Sequence, residues 1–355
     1  MKEVKKPRVW ILGAGFSRHA GGPLLNDLFS ETAEYYFEDA QPTHQAALKK
    51  IGRLFRQKLP TPNTMETGRF WAHAEEFLEK IDQLAEMGEP KALVEMFVDH
   101  CCDDSLKTPE QLRYYARSRI CKEVDDYIHT IPIDSERLQP YIHWVKKLSN
   151  EDVIVTFNYD TLIETVAKRA NIELTLIKPN SNWDSFSSRS SPALIKLHGS
   201  VNWSTDVEGN FFDMSSFNNV LSLFESPSFL PMIAAPGASK GRFVNQLNSF
   251  WRMAKTAICT AESIHIVGYR FPESDSAAVL ELINTFRDSN AKAIDIVLGT
   301  DVSRPDVIRV KRMVESASSY LPEANRVRVK GLFAQDYLAL DSEWTHYDVG
   351  PHYIT

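Results

Sequence analysis

The sequence predicts an α/β fold in which a doubly wound, mostly parallel sheet carries a large helical insertion. Two observations lead to this prediction. From residue 152 onward, short apolar runs alternate with helical patterns, and a further apolar run near the start is separated from them by a mostly helical segment. Parallel strands that are covered on both faces appear as continuous apolar runs, which is the pattern seen here.

The first predicted strand, Val9–Leu12, is followed at once by the glycine-rich turn Gly13–Ser17 (GAGFS). Glycines after a buried strand let the backbone turn tightly and approach a phosphate group at the start of the next helix. The turn lacks the third glycine of the usual dinucleotide fingerprint, and such turns also serve packing alone. On this motif by itself, a phosphate loop and a structural turn both stay open.

The segment between the two sheet-forming parts contains amphipathic helical patterns, such as Ala72–Met87 and Glu110–His129. We therefore expect residues 1–30 and 150–355 to form one discontinuous core, and residues 31–149 to form a helical insertion.

Three later predicted strands end in polar residues: 152–160 (DVIVTFNYD), 193–203 (ALIKLHGSVNW) and 264–275 (IHIVGYRFPESD). Ligands of open parallel sheets bind outside the carboxyl ends of the strands, so these ends and the glycine-rich turn are expected to line one pocket. The polar stretch 203–243 is expected to form a flexible cover over it, with a short hairpin around Glu208–Asn210.

Composition excludes several classes of protein. The formal charge of −7 over 355 residues gives no electrostatic basis for direct nucleic-acid binding. The charged start is followed by too short an apolar run for a signal peptide, and no segment is long enough to span a membrane, so we expect a cytoplasmic protein. The four cysteines contain no Cys-x-x-Cys pair and the histidines show no metal-ligand spacing, so no metal site is expected.

Four motifs together resemble the sirtuin-like family, and within it the bacterial NAD-hydrolysing branch of antiphage defence. They are Gly13–Ser17 (GAGFS), Thr156–Asp160 (TFNYD), Lys196–Ser200 (KLHGS) and Val267–Pro272 (VGYRFP). The resemblance implies a Rossmann-like domain that takes NAD+ as its substrate and cleaves it to nicotinamide and ADP-ribose. Deacylating sirtuins typically carry a zinc module of paired cysteines, which this sequence lacks, so deacylation is not expected.

The resemblance assigns the catalytic roles to Asn158 and His198, and chemistry agrees with both. Cleavage of an N-glycosidic bond develops positive charge on the ribose and needs a water held beneath the anomeric carbon in a dry site. An asparagine amide can orient that water and a ribose hydroxyl, and a histidine can accept the proton. A strand-end asparagine that only stabilises a turn is the alternative for Asn158.

The remaining predicted contacts to NAD+ come from the same strand ends. Backbone amides of the glycine-rich turn face the pyrophosphate, the Ser17 hydroxyl bonds a phosphate oxygen, and Asp160 either anchors the ribose or caps the next helix. Asp301, just after a strand, bonds the adenine ribose and weakly favours NAD over NADP. The predicted binding residues are Gly13, Ala14, Gly15, Phe16, Ser17, Asp160, Gly199, Gly268, Tyr269 and Asp301.

Two other functions stay open: a non-catalytic module that senses NAD or ADP-ribose and regulates a partner, and an ADP-ribosyltransferase. The family resemblance implies an NAD-depleting effector of abortive infection that is restrained until a partner or an infection signal activates it. It further implies a homo-oligomer that works with a HerA-type ATPase or an Argonaute-like chain. The helical insertion, with aromatic pairs at Phe70–Trp71 and Tyr114–Tyr115, is the expected oligomer surface, although core packing explains the aromatics equally well.

Overall fold

The computed structural model describes most of the chain. The described residues are 7–24, 27–31, 42–56, 74–87, 106, 108–132, 134–179, 181–206, 208–215, 229–234, 248–318 and 327–340. Phe70 and Trp71 lie outside these ranges, as does most of the predicted cover.

The strands of the described residues form two sheets. In chain order they are β1 (Arg8–Leu12), β2 (Val153–Thr156), β3 (Thr175–Ile177), β4 (Ala193–Lys196), β5 (Gly199–Thr205), β6 (Phe211–Asp213), β7 (Leu230–Ile233), β8 (Ser263–Val267), β9 (Ala293–Val297) and β10 (Val327–Lys330). The large sheet has the order β10-β9-β8-β1-β2-β4-β3, and all of its pairings are parallel.

The helices of the described residues cover this sheet. They are α1 (Ala14–Ser17), α2 (Pro42–Arg56), α3 (Ala74–Met87), α4 (Pro109–Thr130), α5 (Gln139–Lys146), α6 (Leu162–Arg169), α7 (Trp183–Ser187), α8 (Asn248–Thr260), α9 (Ser276–Arg287), α10 (Pro305–Ser318) and α11 (Ala334–Leu338). None of them, within the part of the chain that the structure describes, is long and apolar enough to cross a membrane.

The strand order confirms the predicted α/β, Rossmann-like fold. From β1 in the middle, the chain adds β2 beside it, places β3 at the edge and returns with β4 between β2 and β3, and it later builds the other side through β8, β9 and β10. The order reverses between β1 and β8, and such a switch point is where doubly wound sheets form a ligand crevice.

Both faces of the sheet are buried, which explains the unbroken apolar runs. Along β1, Trp10 and Leu12 belong to one hydrophobic cluster, whereas Val9 and Ile11 belong to the cluster on the opposite face. Successive side chains of a strand point to opposite faces, so a strand with two covered faces must be apolar at every position.

The segment between β1 and β2 is helical where it is described, as predicted. The predicted helices correspond to α3 and α4, and α4 begins with a capping box between Thr108 and Gln111. Buried ion pairs tie these helices together, since Arg117 donates to both oxygens of Asp82 at 2.8 and 2.9 Å. The hydrophobic cluster on this side is continuous from Trp10 in the sheet to Phe77 and Tyr114 in the helices. The division of the chain into a core and an insertion stays a prediction.

The stretch expected to be a flexible cover is partly regular structure, because β5 pairs antiparallel with both β6 and β7. The predicted hairpin is present between β5 and β6, where the Asp206 carboxylate accepts from the amides of Glu208 and Asn210. The cover prediction therefore missed a three-stranded sheet. Residues 216–228 and 235–243 of the predicted cover lie outside the described residues.

A buried polar network fastens α11 to the sheet. The Nδ1 atom of His265 lies 2.7 Å from the Tyr337 hydroxyl, which donates to Asp295 at 2.8 Å, and the imidazole stacks on Trp10 with 4.3 Å between ring centres. Burial, opposed by the charge of Asp295, lowers the pKa of His265 to about 3. The imidazole is therefore neutral in the folded protein.

This network predicts a loss of stability in mild acid. Below about pH 6.5 an unfolded histidine takes up a proton, whereas folded His265 stays neutral down to about pH 3. The unfolded state therefore binds more protons in that window, and the free energy of unfolding falls as the pH drops through it. In His265→Gln, the dependence of the unfolding free energy on pH between 6.5 and 4.5 should weaken by about one proton. Urea unfolding at several pH values measures it. Substitution of the exposed His19 by Gln is the control, and equal pH slopes in the His265 variant and the wild type would contradict the assignment.

Candidate functional site

Two backbone turns meet at the switch point, one after β1 and the other after β8. A Cβ atom on Gly13 would lie 2.6 Å from the Cα atom of Tyr269, and one on Gly15 would lie 2.9 Å from the Cα atom of Gly268. Gly268 itself has a φ of 71° and leaves only 2.2 Å between an added Cβ and the amide nitrogen of Phe16. Only glycine fits these positions without a shift of backbone.

Three of the four amides that were expected to face a pyrophosphate are engaged within the protein. The Gly13 amide donates to Val267 at 3.1 Å, the Gly15 amide to Gly268 at 3.1 Å and the Phe16 amide to Gly13 at 2.8 Å. Ala14 is exposed at the start of the four-residue helix α1. The packing role of the glycines is thus visible directly, while phosphate contact by this turn stays a prediction.

Asn158, at the end of β2, reaches across to the turn after β1. Its side-chain Nδ2 donates to the backbone oxygen of Gly13 at 3.1 Å and to Oγ of Ser17 at 3.0 Å. The Ser17 hydroxyl in turn donates to Oδ2 of Asp160 at 2.7 Å. All three side chains are buried, so a polar cluster of Ser17, Asn158 and Asp160 joins the turn after β1 to the loop after β2. Because both amide protons of Asn158 are used, its Oδ1 is the side-chain atom that can accept from a ligand.

Asp160 makes a bond at the start of the next helix, which is one of the two roles that the sequence left open, and its contact with the ribose stays a prediction. Its Oδ1 accepts from the Leu162 amide at 3.1 Å, at the beginning of α6. Its backbone oxygen accepts from the buried Nζ of Lys196 at 2.6 Å, and the same ammonium bonds Glu164 at 2.9 Å. Lys196, on β4, therefore fixes the loop that carries Asn158.

His198 lies in the connection between β4 and β5 and is buried. Its ring packs edge-on against Phe157, with 4.9 Å between ring centres, and lies 6.2 Å from the ring of Tyr159. The backbone oxygen of His198 accepts from Ala234 at 2.8 Å, and the Tyr159 hydroxyl donates to the oxygen of Ala234 at 2.6 Å. These two bonds hold the end of β7 next to His198.

Gly199 has a φ of 79°, and an added Cβ would lie 2.0 Å from the backbone oxygen of Met232. The residue allows β7 to approach the connection that carries His198. A direct contact from Gly199 to a ligand stays a prediction.

The turn after β8 brings Tyr269 into the same aromatic group. Its ring stacks on Phe157 with 4.1 Å between centres and an angle of 7°. Its hydroxyl donates to Oδ2 of Asp275 at 3.2 Å. The next residue but one, Phe271, is buried with a φ of 51°, a region that bulky side chains rarely adopt.

Sequence reasoning missed two residues at this site. Asp275 is buried, and its Oδ1 lies 3.8 Å from Nε2 of His198. Tyr127, on α4, has its hydroxyl buried beside Ser17 and Asp160, and burial together with the Asp160 charge raises its pKa well above the usual value. The acidic end of the segment 264–275 was a usable signal for Asp275. Tyr127 gave none, because its helix meets the site only through long-range packing.

Asp301 lies apart from this group, after the end of β9. Its carboxylate is exposed and accepts from the amide and the hydroxyl of Ser303 at 3.0 and 2.6 Å. These bonds, the one from the hydroxyl first, lower the pKa of Asp301. Its predicted contact with the adenine ribose stays a prediction.

Comparisons with known proteins agree with the sequence motifs over part of the chain. Residues 152–316 match the family model of a SIR2-like domain. This region contains Asn158, His198 and Asp275, but not the turn Gly13–Ser17. The resemblance to sirtuins is thus supported at the level of a SIR2-like domain. No curated protein matches the chain.

Two solved structures align with most of the chain at low similarity. One is a sirtuin studied for the structural basis of its substrate affinity, with 13% identity, 93% of this chain and 91% of that chain covered, and a TM-score of 0.42. The other is Sir2 with the inhibitor EX-527, 2'-O-acetyl-ADP-ribose and a deacetylated p53 peptide, with 13% identity, coverage of 94% and 90%, and a TM-score of 0.36. At these TM-scores they carry no argument about function.

The contact between the two turns predicts that Gly268→Ala is far more damaging than a matched substitution. Gly209 also has a positive φ, of 85°, but an added Cβ there meets nothing within 4 Å. Gly209→Ala should lower the unfolding free energy by about 1 kcal/mol through backbone strain alone. Gly268→Ala should lower it by about 3 kcal/mol or more, because the backbone of Gly15 and Phe16 must also move. Denaturant unfolding of both variants measures this, and equal losses would show that the turns do not depend on their close contact.

Proposed function

We propose that this chain is an NAD+ glycohydrolase that cleaves NAD+ to nicotinamide and ADP-ribose. One observation carries the proposal: the ends of β2 and β4 hold Asn158 and His198 beside the turns that meet at the switch point. Ligands of doubly wound sheets bind at this place. The match of residues 152–316 to a SIR2-like domain supports NAD+ as the nucleotide that this chain binds.

The chemistry proposed is attack of water on the anomeric carbon of the nicotinamide ribose. The glycosidic bond breaks, nicotinamide leaves with the bonding electron pair, and the water oxygen forms the new bond to carbon. His198 accepts the proton of the water or of a ribose hydroxyl. The Oδ1 atom of Asn158 orients the group that is deprotonated, and its amide protons keep it fixed on Gly13 and Ser17.

The surroundings of His198 suit this step. Phe157, Tyr269 and Phe271 are all buried on one side of the site, which limits access of bulk water. Cleavage leaves positive charge on the ribose, and the buried carboxylates of Asp160 and Asp275 lie close to the residues that would surround it. Fixed charges in a site with little water stabilise such a transition state more strongly than water does.

A second candidate function is a sensing module that binds NAD or ADP-ribose without cleaving it and regulates a partner. The observation that favours it is the bonding of Asn158, whose amide joins the loop after β2 to the turn after β1, as a purely structural residue would. A sensing module of this kind gives His198 no chemical role. An ADP-ribosyltransferase is a weaker candidate, in which an acceptor group takes the place of the water.

The biological role proposed follows from the family resemblance. The enzyme is a cytoplasmic effector of bacterial antiphage defence that depletes NAD+ once a partner or an infection signal activates it. It acts as a homo-oligomer and together with a HerA-type ATPase or an Argonaute-like chain. Its activity is therefore best assayed both alone and with such partners.

The test is release of nicotinamide from NAD+, followed by chromatography, with the purified protein alone and with candidate partners. Asn158→Ala and His198→Ala should each lower the rate by about 100-fold or more, because the first removes the group that orients the proton donor and the second removes the base. Asn290→Ala and His129→Ala exchange the same residue types at exposed positions and should retain the rate.

Thermal unfolding and binding of ADP-ribose check that the variants are folded. Binding of ADP-ribose by a wild type that releases no nicotinamide under any of these conditions would overturn the hydrolase and favour the sensor. Transfer of the ADP-ribose group to a protein or nucleic acid would favour the transferase.

A further inference from the structure

We propose that Asp275 is a positioning residue that acts through His198, so that the base of the site is a carboxylate–imidazole pair. The inference rests on the proposed function, since it assigns a partner to the base of that reaction. It starts from one distance: Oδ1 of Asp275 lies 3.8 Å from Nε2 of His198, and both side chains are almost completely buried.

The position of Asp275 in the chain predicts a different role, which the structure does not show. Asp275 is the residue immediately before α9, where an aspartate side chain commonly accepts from the first amides of the helix. Here the side chain makes no such bond. Its carboxylate instead faces the site, while the nearby helix start favours its negative charge. Helix capping therefore does not account for this residue.

The surrounding contacts hold the carboxylate in place. Oδ2 accepts from the Tyr269 hydroxyl, and Tyr269 is itself fixed by its stack on Phe157. The loop between Tyr269 and Asp275 is anchored by Arg270. Its guanidinium bonds Asp306 and donates to the backbone oxygen of Leu298 at 3.1 Å. The positive φ of Phe271 lies in this anchored loop, and strained backbone of this kind persists only where the surroundings enforce it.

A carboxylate facing Nε2 favours the tautomer with its proton on that nitrogen, which leaves Nδ1 as the atom that accepts a proton. It also stabilises the imidazolium that forms once the proton has been transferred. The distance of 3.8 Å is too long for a hydrogen bond, and bonds of this kind often tighten when substrate binds. The ring of Tyr159 also lies beside His198, and its hydroxyl donates to the backbone oxygen of Ala234.

The experiment compares the wild type with Asp275→Asn and with Glu273→Gln, an exposed carboxylate in the same short 3-10 helix. Two quantities are measured: the steady-state constants for nicotinamide release, and the pH midpoint of the His198 imidazole by NMR, assigned with His198→Ala. In Asp275→Asn the midpoint should move down by about one pH unit, because an adjacent negative charge is lost. The kcat should fall by about tenfold or more while KM changes little. Glu273→Gln should leave both unchanged.

Tyr269→Phe keeps the carboxylate but removes the hydroxyl that holds it, so the midpoint should move in the same direction by a smaller amount. This second variant decides the question if Asp275→Asn does not fold. An unchanged His198 midpoint in the folded variants overturns the pair, even if the wild type hydrolyses NAD+. A wild type that releases no nicotinamide overturns the hydrolase alone, because the NMR midpoints still decide whether the pair exists.

Discussion

The close approach of two backbone turns, one after β1 and the other after β8, is the constraint on which the rest of the site depends. Their contact leaves no room for a Cβ atom at Gly13, Gly15 or Gly268. The two strands are neighbours in the sheet although more than 200 residues separate them in the chain. Because the turns touch, Gly13, whose oxygen accepts from Asn158, lies against Tyr269, which donates to Asp275.

Polar contacts then carry this fixed geometry to the neighbouring strands. Asn158 bonds the turn after β1, Ser17 bonds Asp160, and Lys196 bonds the backbone of Asp160 from β4. Each of these groups is buried and would be costly to leave unpaired. The cluster therefore makes the ends of β1, β2 and β4 behave as one unit. His198 follows the end of β4, so this unit fixes its position.

The sequence predicts what depends on local pattern and on strand ends. It predicts the parallel sheet, because β1, β2, β4 and β8 are continuous apolar runs, and it predicts the helices α3 and α4 from their periodicity. It also predicts that Asn158 and His198 follow the carboxyl ends of strands, as they do after β2 and β4. The antiparallel sheet of β5, β6 and β7 was missed because β5 mixes polar and apolar residues, β6 has only three residues and β7 contains a proline. The engagement of the Gly13 and Gly15 amides could not be predicted either, since it depends on how closely a distant turn packs.

The helices between β1 and β2 do more than fill the space between two strands. Their apolar side chains share one continuous cluster with Trp10 and Leu12 of the central strand, and Tyr127 of α4 stands directly beneath Ser17 and Asp160. The described helices of this segment therefore pack in the same hydrophobic cluster as the central strand. A shortened chain without it would expose part of one face of the sheet, and any molecule that displaced α4 would move Tyr127 away from Ser17 and Asp160.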